Sequence, residues 1–151
     1  MAKPDTSAVG MPERSMNHQW QGDVIYCFHR RALPDNADWD AFLDTVAHNV
    51  RPNDKVRVLV NTEAAGPNAA QRQRMNELMN GLGSKLRVAV LTESVLARGI
   101  IQALSWMNVI EIRPFPGDGH AAALRYLEVA SDSPSVTKAR EIFDRIGKNV
   151  R

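Results

Sequence analysis

The hydrophobic pattern of this chain is centred on one strand and the helix that follows it. The run from Leu86 to Thr92 is short and apolar, which is typical of a central parallel strand buried on both faces. The segment from Val95 to Met107 is helical in its spacing and apolar almost all round. Its polar residues form one narrow stripe, made by Ser94, Arg98, Gln102 and Ser105. A helix with so little polar surface is expected to be covered by other elements.

Gly99 lies inside this predicted helix, although glycine costs about 1 kcal/mol of helix propensity relative to alanine. We expect close packing at this position, with a neighbouring backbone or ring that leaves no room for a Cβ atom. On this interpretation, Gly99→Val destabilises the protein by several kcal/mol through overpacking.

Strand and helix patterns alternate along the rest of the chain. Apolar strand patterns occur before the turn at Trp20 to Asp23, and then at Val24 to Arg30, Val56 to Thr62 and Val109 to Arg113. Helix starts carry capping residues, at Asn36 or Asp38, at Asn68 with Gln71 as a capping box, at Asp118 and at Ser133. The order β-β-α-β-α-β-α-β-α-α predicts an α/β fold with a largely parallel, four- to five-stranded sheet flanked by helices.

The two ends of the chain differ from this alternating centre. Residues 1–15 are polar and contain prolines without a period, so we expect a disordered tail before one domain at 16–130. Residues 131–151 form an additional amphipathic helix, whose apolar side carries Val136, Ala139, Phe143 and Ile146. Because the preceding helix already completes the layer that covers the sheet, we favour a contact of this side with a second copy or a protein partner. The alternative is packing across its own domain.

Composition narrows the classes of function. Apolar content of 44% and charged content of 24% are ordinary for a globular protein, and no apolar run has membrane-spanning length. A net charge of +2 does not indicate nucleic-acid binding. No secretory leader is evident, and the single Cys27 excludes an internal disulfide or a cysteine-based zinc site. We therefore expect a cytoplasmic protein that binds neither nucleic acid nor membrane.

Catalytic motifs are absent from the sequence. No serine has a nucleophile-elbow context, and no Walker-type phosphate loop occurs. The four histidines are scattered without a metal-ligand spacing, at His18, His29, His48 and His120. The sequence therefore predicts a non-enzymatic protein without a metal or cofactor.

One cluster of residues indicates an anion near the central helix. If Ser94 is the N-cap, Arg98 ends the first helical turn, where the helix dipole disfavours a cation by about 0.3–1 kcal/mol. We favour an intramolecular acid, such as Glu93 or Glu63, as its partner. The alternative is a bound anion held by Thr92, Ser94, Arg98 and the free N–H groups of the helix start.

Several segments together resemble the small bacterial STAS/SEC14-like (SpoIIAA-like) proteins. The resemblance rests on the strand end Asn61-Thr62, the helix start Gly66 to Arg72, the strand Val88 to Thr92, and the spacing of Arg98-Gly99 before Trp106. It implies a non-enzymatic regulatory or scaffold role. It also implies a kinase-phosphorylated serine after the third strand, but the matching segment Glu63 to Gly66 has no hydroxyl, so we expect no such switch.

Two functions follow from these patterns. The leading one is a STAS-like regulatory module that docks a protein partner or itself as a homodimer, without catalysis. The alternative is a domain that binds an anionic or lipid-like small molecule around Thr92, Ser94 and Arg98. A large apolar cavity with Arg98 at its mouth would favour ligand binding, whereas a filled core would favour the interaction module.

Overall fold

The computed structural model describes residues 13–50, 55–63, 66–79, 86–106 and 111–151. The elements follow the predicted order of strands and helices. The strands are β1 (Met16–Gln21), β2 (Val24–His29), β3 (Val56–Thr62), β4 (Leu86–Leu91) and β5 (Glu111–Phe115). The helices are α1 (Asn36–His48), α2 (Ala69–Met79), α3 (Val95–Trp106), α4 (His120–Tyr126) and α5 (Ser133–Ile146).

The five strands form one sheet in sequence order. β1 pairs antiparallel with β2, and β2 to β5 are parallel to one another. A two-residue turn joins β1 to β2, and Gly22 adopts a φ of 63° there, a left-handed conformation that favours glycine. The prediction of an α/β fold with a largely parallel sheet is therefore confirmed.

Helices cover both faces of this sheet. Alternate strand residues such as Val58 and Val88 face α1, α2 and α3, whereas Leu59 and Ala89 face α4 and α5. Crossovers of one hand between sequential parallel strands place the three connecting helices on the same face. The chain continues past β5, and α4 and α5 cover the opposite face.

The C-terminal helix α5 is part of the core of its own domain. Ala139 and Ile142 are fully buried, and Phe143 and Ile146 are each 4% exposed. Val136 is partly buried against the same cluster. α4 is only seven residues long, and α5 contacts β1 and β2 beside it. The preference for Val136, Ala139, Phe143 and Ile146 as a partner contact was therefore wrong, and the core extends across the boundary predicted at residue 130.

The last two residues of the predicted disordered tail, Arg14 and Ser15, are part of the folded domain. Arg14 pairs with Val150, and Ser15 is fully buried with its Oγ 2.7 Å from Oδ2 of Asp38. Asp38 thus binds Ser15 rather than capping α1, whose N-cap residue is Asp35. The expected caps at Asn36 and Asp38 were both wrong, and the remainder of the predicted tail, residues 1–12, lies outside the described residues.

Helix α3 is not covered in the way that its apolar sequence indicates. It contacts the sheet through Ala97 and Ile101, but Val95 and Leu96 are each 75% exposed and Ile100 is 52% exposed. A Cβ atom at Gly99 would meet nothing within 4 Å. The expectation of a covered helix was therefore wrong, and among the described residues nothing packs closely on Gly99 or gives a steric basis for the predicted loss from Gly99→Val. None of the described helices is long and apolar enough to cross a membrane.

Candidate functional site

An apolar cavity of about 250 Å³ lies between the sheet and helices α1, α2 and α3. The sheet contributes short side chains to its wall, and the helices contribute aromatic, aliphatic and methionine side chains. These include Val58, Val88 and Val90 from the strands, Phe42 and Val46 from α1, Met75 and Met79 from α2, and Ala97, Ile100 and Ile101 from α3. A cavity with such apolar walls suits an apolar molecule.

The composition of α2 explains why this space is not filled. Most of its residues are polar, and only Gln71 and Met79 are buried. The opposing strand residues are mainly valines, and α3 contributes the small Ala97 beside Ile100 and Ile101. Among the described residues, side chains this short leave a space between the sheet and the helices.

One end of the cavity is polar. His29 and Thr62 are the last residues of the neighbouring strands β2 and β3 and lie in register. Each is 5% exposed, and Oγ1 of Thr62 lies 3.1 Å from Nδ1 of His29. Burial lowers the pKa of His29 from 6.5 to about 4, so its imidazole is neutral at pH 7. This end therefore offers neutral hydrogen-bonding groups within an otherwise apolar wall.

The start of α2 forms the other side of this polar end. The predicted capping box is confirmed, because Asn68 Oδ1 accepts from the Gln71 N–H at 2.8 Å and Gln71 Oε1 accepts from the Asn68 N–H at 3.0 Å. The Trp39 indole donates to the Gln71 carbonyl at 3.0 Å, which ties α1 to this helix start. The capping box and this tie hold the adjoining Arg72 and Asn76 in the cavity wall.

Arg72 is the cation of the cavity wall. It is half-buried, and its Nη1 donates to the Pro67 carbonyl at 2.8 Å. Within the described ranges it forms no ion pair, whereas its neighbour Arg74 is paired with Asp40. An unpaired guanidinium beside an apolar cavity suits a ligand with an anionic end.

Thr92 and Ser94 both accept hydrogen bonds from the backbone at the start of α3. Ser94 Oγ accepts from the Ala97 N–H at 3.1 Å, which confirms Ser94 as the N-cap of α3. Thr92 is 1% exposed, and its Oγ1 accepts from the Ser94 N–H at 3.1 Å. Both hydroxyl oxygens therefore accept from backbone N–H groups of their own segment, and Thr92 also lines the polar cleft described below.

Arg98 has neither of its two expected partners in the described part of the chain. It forms no ion pair there, and its buried Nε has no hydrogen-bond partner. Glu63 is instead paired with Arg30, at 2.9 Å. The favoured intramolecular pair is therefore absent among these residues, and Arg98 does not contribute to the cavity wall.

A separate polar cleft of about 710 Å³ lies at the carboxyl ends of β3, β4 and β5. Thr62 lines both this cleft and the apolar cavity. The cleft carries charges of both signs, from Arg31, Glu63, Glu93, Asp118, Arg140 and Asp144. Ligands of parallel α/β sheets commonly bind at this edge. No trio of metal-ligating side chains occurs in the described ranges.

His120 lines this cleft and is 7% exposed. Burial and, to a lesser degree, the charge of Arg140 lower its pKa, so the ring is neutral at pH 7. Its neutral state suits it to hydrogen bonding rather than to pairing with an anion.

Sequence inspection missed His29, Thr62 and Arg72 as a group. The available signal was the position of His29 and Thr62 at the ends of two apolar strand patterns, because the carboxyl ends of parallel strands meet at one edge. Their neighbour Cys27 was interpreted as a packing residue, and it is 1% exposed in the cavity wall. Burial raises the pKa of its thiol, which therefore stays protonated.

Comparisons of the chain with protein-family models, with curated proteins and with solved structures found no match. The five-stranded α/β architecture is a property of the structure, whereas a SpoIIAA-like family stays a prediction from the resemblance.

Proposed function

We propose that this protein is a non-enzymatic binding domain for a small, mainly apolar molecule with one polar or anionic end. The observation that carries this proposal is the apolar cavity of about 250 Å³ between the sheet and α1 to α3. Protein interiors rarely retain voids much larger than a water molecule. A dry apolar cavity of about 150 Å³ is already large enough to bind benzene.

The polar end of the cavity supports a fixed orientation of this ligand. His29 and Thr62 are neutral polar groups that hydrogen-bond to each other, and Arg72 supplies a positive charge without an acidic partner in the described ranges. A medium-chain carboxylate combines the two required features, because its chain fits the apolar wall and its head group pairs with Arg72. The ligand class is thus the lipid-like one expected from the sequence, at a different set of residues from Thr92, Ser94 and Arg98.

A second candidate is the regulatory module that docks a protein partner. The observation that favours it is the exposure of Val95, Leu96 and Ile100 on one side of α3. Exposed apolar patches of this kind mark interaction surfaces. The two functions are compatible, because only Ile100 both lines the cavity and belongs to this exposed set.

Replacement of two alanines by leucine, one at the cavity and one on the opposite face of the sheet, tests whether the cavity is open for binding. Ala97→Leu should fill part of the cavity from α3, raising the free energy of unfolding by about 1–2 kcal/mol through added burial. The same change should weaken binding of octanoate, measured by displacement of an apolar fluorescent dye, by at least about tenfold.

Ala123→Leu is the matched control on the opposite face. Ala123 is fully buried on α4 against Leu59 and Ala89, so the larger side chain should destabilise the protein by about 1–3 kcal/mol through overpacking. Octanoate binding should be retained at temperatures where this variant is folded. Equal destabilisation by both substitutions would show that the region under α3 is a filled core.

Removing the charge of Arg72 tests its proposed contact with the anionic head group of the ligand. Arg72→Gln should weaken octanoate binding by about tenfold or more, since a charge-assisted hydrogen bond contributes about 1.5–3 kcal/mol. Binding of octanol, which lacks the charge, should change little. Arg74→Gln is the control, because Arg74 lies on the same helix, pairs with Asp40 and does not line the cavity. Equal losses for octanoate and octanol would contradict a specific anion contact.

A further inference from the structure

The connections that follow β4 and β5 leave the sheet on opposite faces. After β4 the chain turns to α3, on the face of α1 and α2, whereas after β5 it turns to α4 on the other face. The strand ends themselves are joined by the hydrogen bond from the Thr92 N–H to the Phe115 carbonyl, at 3.0 Å. Beyond this bond the two connections diverge. Such a divergence opens a crevice at the carboxyl edge of the sheet, where open α/β sheets commonly bind their ligands.

The polar cleft at the carboxyl ends of β3 to β5 contains this crevice. We define the crevice by the polar residues that the two connections and α5 contribute to the cleft wall, which are Thr92, Glu93, Asp118, His120, Arg140 and Asp144. All of them lie within residues 86–106 and 111–151, which the structure describes without a break. Among the described residues only Thr62 lines both the cleft and the apolar cavity, so the crevice is a separate site and does not rest on the function proposed for the cavity.

His120 is a buried polar side chain of the crevice with an unused hydrogen-bonding atom. It is 7% exposed, and its Nδ1 is buried without a hydrogen-bond partner in the described ranges. The Asp118 backbone lies beside the ring but forms no well-aligned hydrogen bond with it. The ring also packs on Phe143, with the ring centroids 6.2 Å apart. Buried polar atoms are nearly always hydrogen-bonded, because an unpaired one lowers stability. A ligand in the crevice would supply the missing partner.

The charged groups of the crevice are not neutralised within the described part of the chain. The groups without an ion pair there are three carboxylates and one guanidinium, at Glu93, Asp118, Asp144 and Arg140. Three negative charges and one positive charge leave a net charge of −2. Arg31 and Glu63 line the same cleft but are paired with each other, at 3.9 Å. The open groups therefore favour a ligand that carries both signs of charge, with an excess of positive charge.

Gly117 allows the Glu93 carboxylate to lie across the crevice. A Cβ atom at residue 117 would overlap Oε1 of Glu93, so the missing side chain leaves the space that this carboxylate occupies. The carboxylate from the connection after β4 is thereby held against the connection after β5. Neither Gly117 nor Glu93 has a left-handed backbone, so the close approach of the carboxylate is the physical reason for the glycine.

We propose that the crevice binds a free basic amino acid, with its two cationic groups facing the carboxylates and its own carboxylate facing Arg140. Arginine side chains recognise carboxylates through two parallel N–H···O bonds, which gives this contact its direction. The neutral ring of His120 completes the site with a hydrogen bond from or to Nδ1. Glu93 supplies the carboxylate that the glycine at 117 holds in place.

Isothermal titration calorimetry with L-arginine, on the full chain at low ionic strength, tests this site. The wild-type protein should bind L-arginine with a Kd below about 1 mM and should not bind L-glutamate measurably. Arg140→Gln should weaken L-arginine binding at least about fivefold but should not weaken binding of agmatine, which is the same molecule without its carboxylate. A wild-type chain that binds no L-arginine up to about 10 mM would overturn the proposal, and so would an Arg140→Gln variant with unchanged affinity for it.

Two substitutions test the position of the Glu93 carboxylate. Glu93→Gln should weaken L-arginine binding about three- to tenfold, because it removes one exposed charge that faces the ligand. Gly117→Ala should have a similar effect, since the added Cβ atom displaces this flexible carboxylate without disturbing the core. Glu141→Gln is the matched control, because Glu141 lies on the exposed side of α5 and does not line the cleft. Equal affinities of Glu93→Gln and Glu141→Gln for L-arginine would contradict the proposed site.

His120→Phe separates a binding role of His120 from a structural one. Phenylalanine keeps a ring against Phe143 and removes the unpaired buried nitrogen, so the melting temperature should stay the same or rise. L-arginine binding should nevertheless weaken by about fivefold, because the ligand loses a hydrogen bond. A lower melting temperature with unchanged L-arginine binding would show that His120 only supports the fold, and the crevice would then lose its claim to be a ligand site.

Discussion

Phe143→Ala is expected to lower the free energy of unfolding by about 3–5 kcal/mol, because it removes a large ring from the core under α5. Phe143 is 4% exposed, and its ring centroid lies 5.7 Å from that of Tyr26 and 6.5 Å from that of Phe28. Urea denaturation monitored by circular dichroism provides the measurement. The large loss reflects the role of α5 as a cover of the sheet rather than as an appended helix.

Lys138→Ala is the control for this substitution. Lys138 lies on the exposed side of the same helix, so the free energy of unfolding should stay within about 0.5 kcal/mol of the wild type. A loss below about 1 kcal/mol for Phe143→Ala would mean that α5 is only loosely attached, and the partner contact expected from the sequence would then regain support.

The stability of the protein should fall as the solution is acidified from about pH 7.5 to pH 5, and His29 should cause about 2 kcal/mol of this loss. Burial lowers the pKa of His29 from 6.5 to about 4 in the folded state. A group with a lowered folded-state pKa binds fewer protons when folded, so its contribution is complete above pH 6.5. The contribution is lost as the pH falls from 6.5 towards 4.

His29→Asn isolates this contribution, because the amide keeps a hydrogen-bonding group beside Thr62 but does not titrate. Its stability profile from denaturation at each pH should be flatter than that of the wild type by about 2 kcal/mol over the same range. The lowered pKa values of His18 and His120 act in the same direction and are common to both proteins. Parallel profiles for the two proteins would show that His29 is accessible to protons in the folded state.

Local features of the fold were predicted from the sequence because they depend on residues close together in the chain. The order of strands and helices follows from apolar periodicity, and it agrees with the elements that the structure describes. The capping box of Asn68 with Gln71 and the N-cap at Ser94 depend on a spacing of three residues, and both form. Pro114 lies within β5 rather than in the predicted turn, since an edge strand tolerates a residue without an N–H.

The candidate site was only partly predictable, because it depends on distances between elements. His29, Thr62 and Arg72 come from two strands and a helix, and only strand register and helix packing bring them together. The cavity itself is a difference between the volume enclosed by the helices and the volume of the side chains inside it. This difference in volume cannot be inferred from any continuous segment of the sequence. The residues predicted instead, Thr92, Ser94 and Arg98, all come from one continuous segment.

Sequence alone determined which segments are amphipathic, and the tertiary structure decided what each apolar side faces. The sequence of α3 is apolar almost all round and that of α5 is apolar on one side, yet Val95, Leu96 and Ile100 of α3 are exposed and the apolar side of α5 is buried. α4 is too short to cover its face of the sheet, so α5 completes the layer, whereas nothing described lies beyond α3. Burial of an apolar side depends on the area left uncovered by the other elements, and only the assembled fold specifies that area.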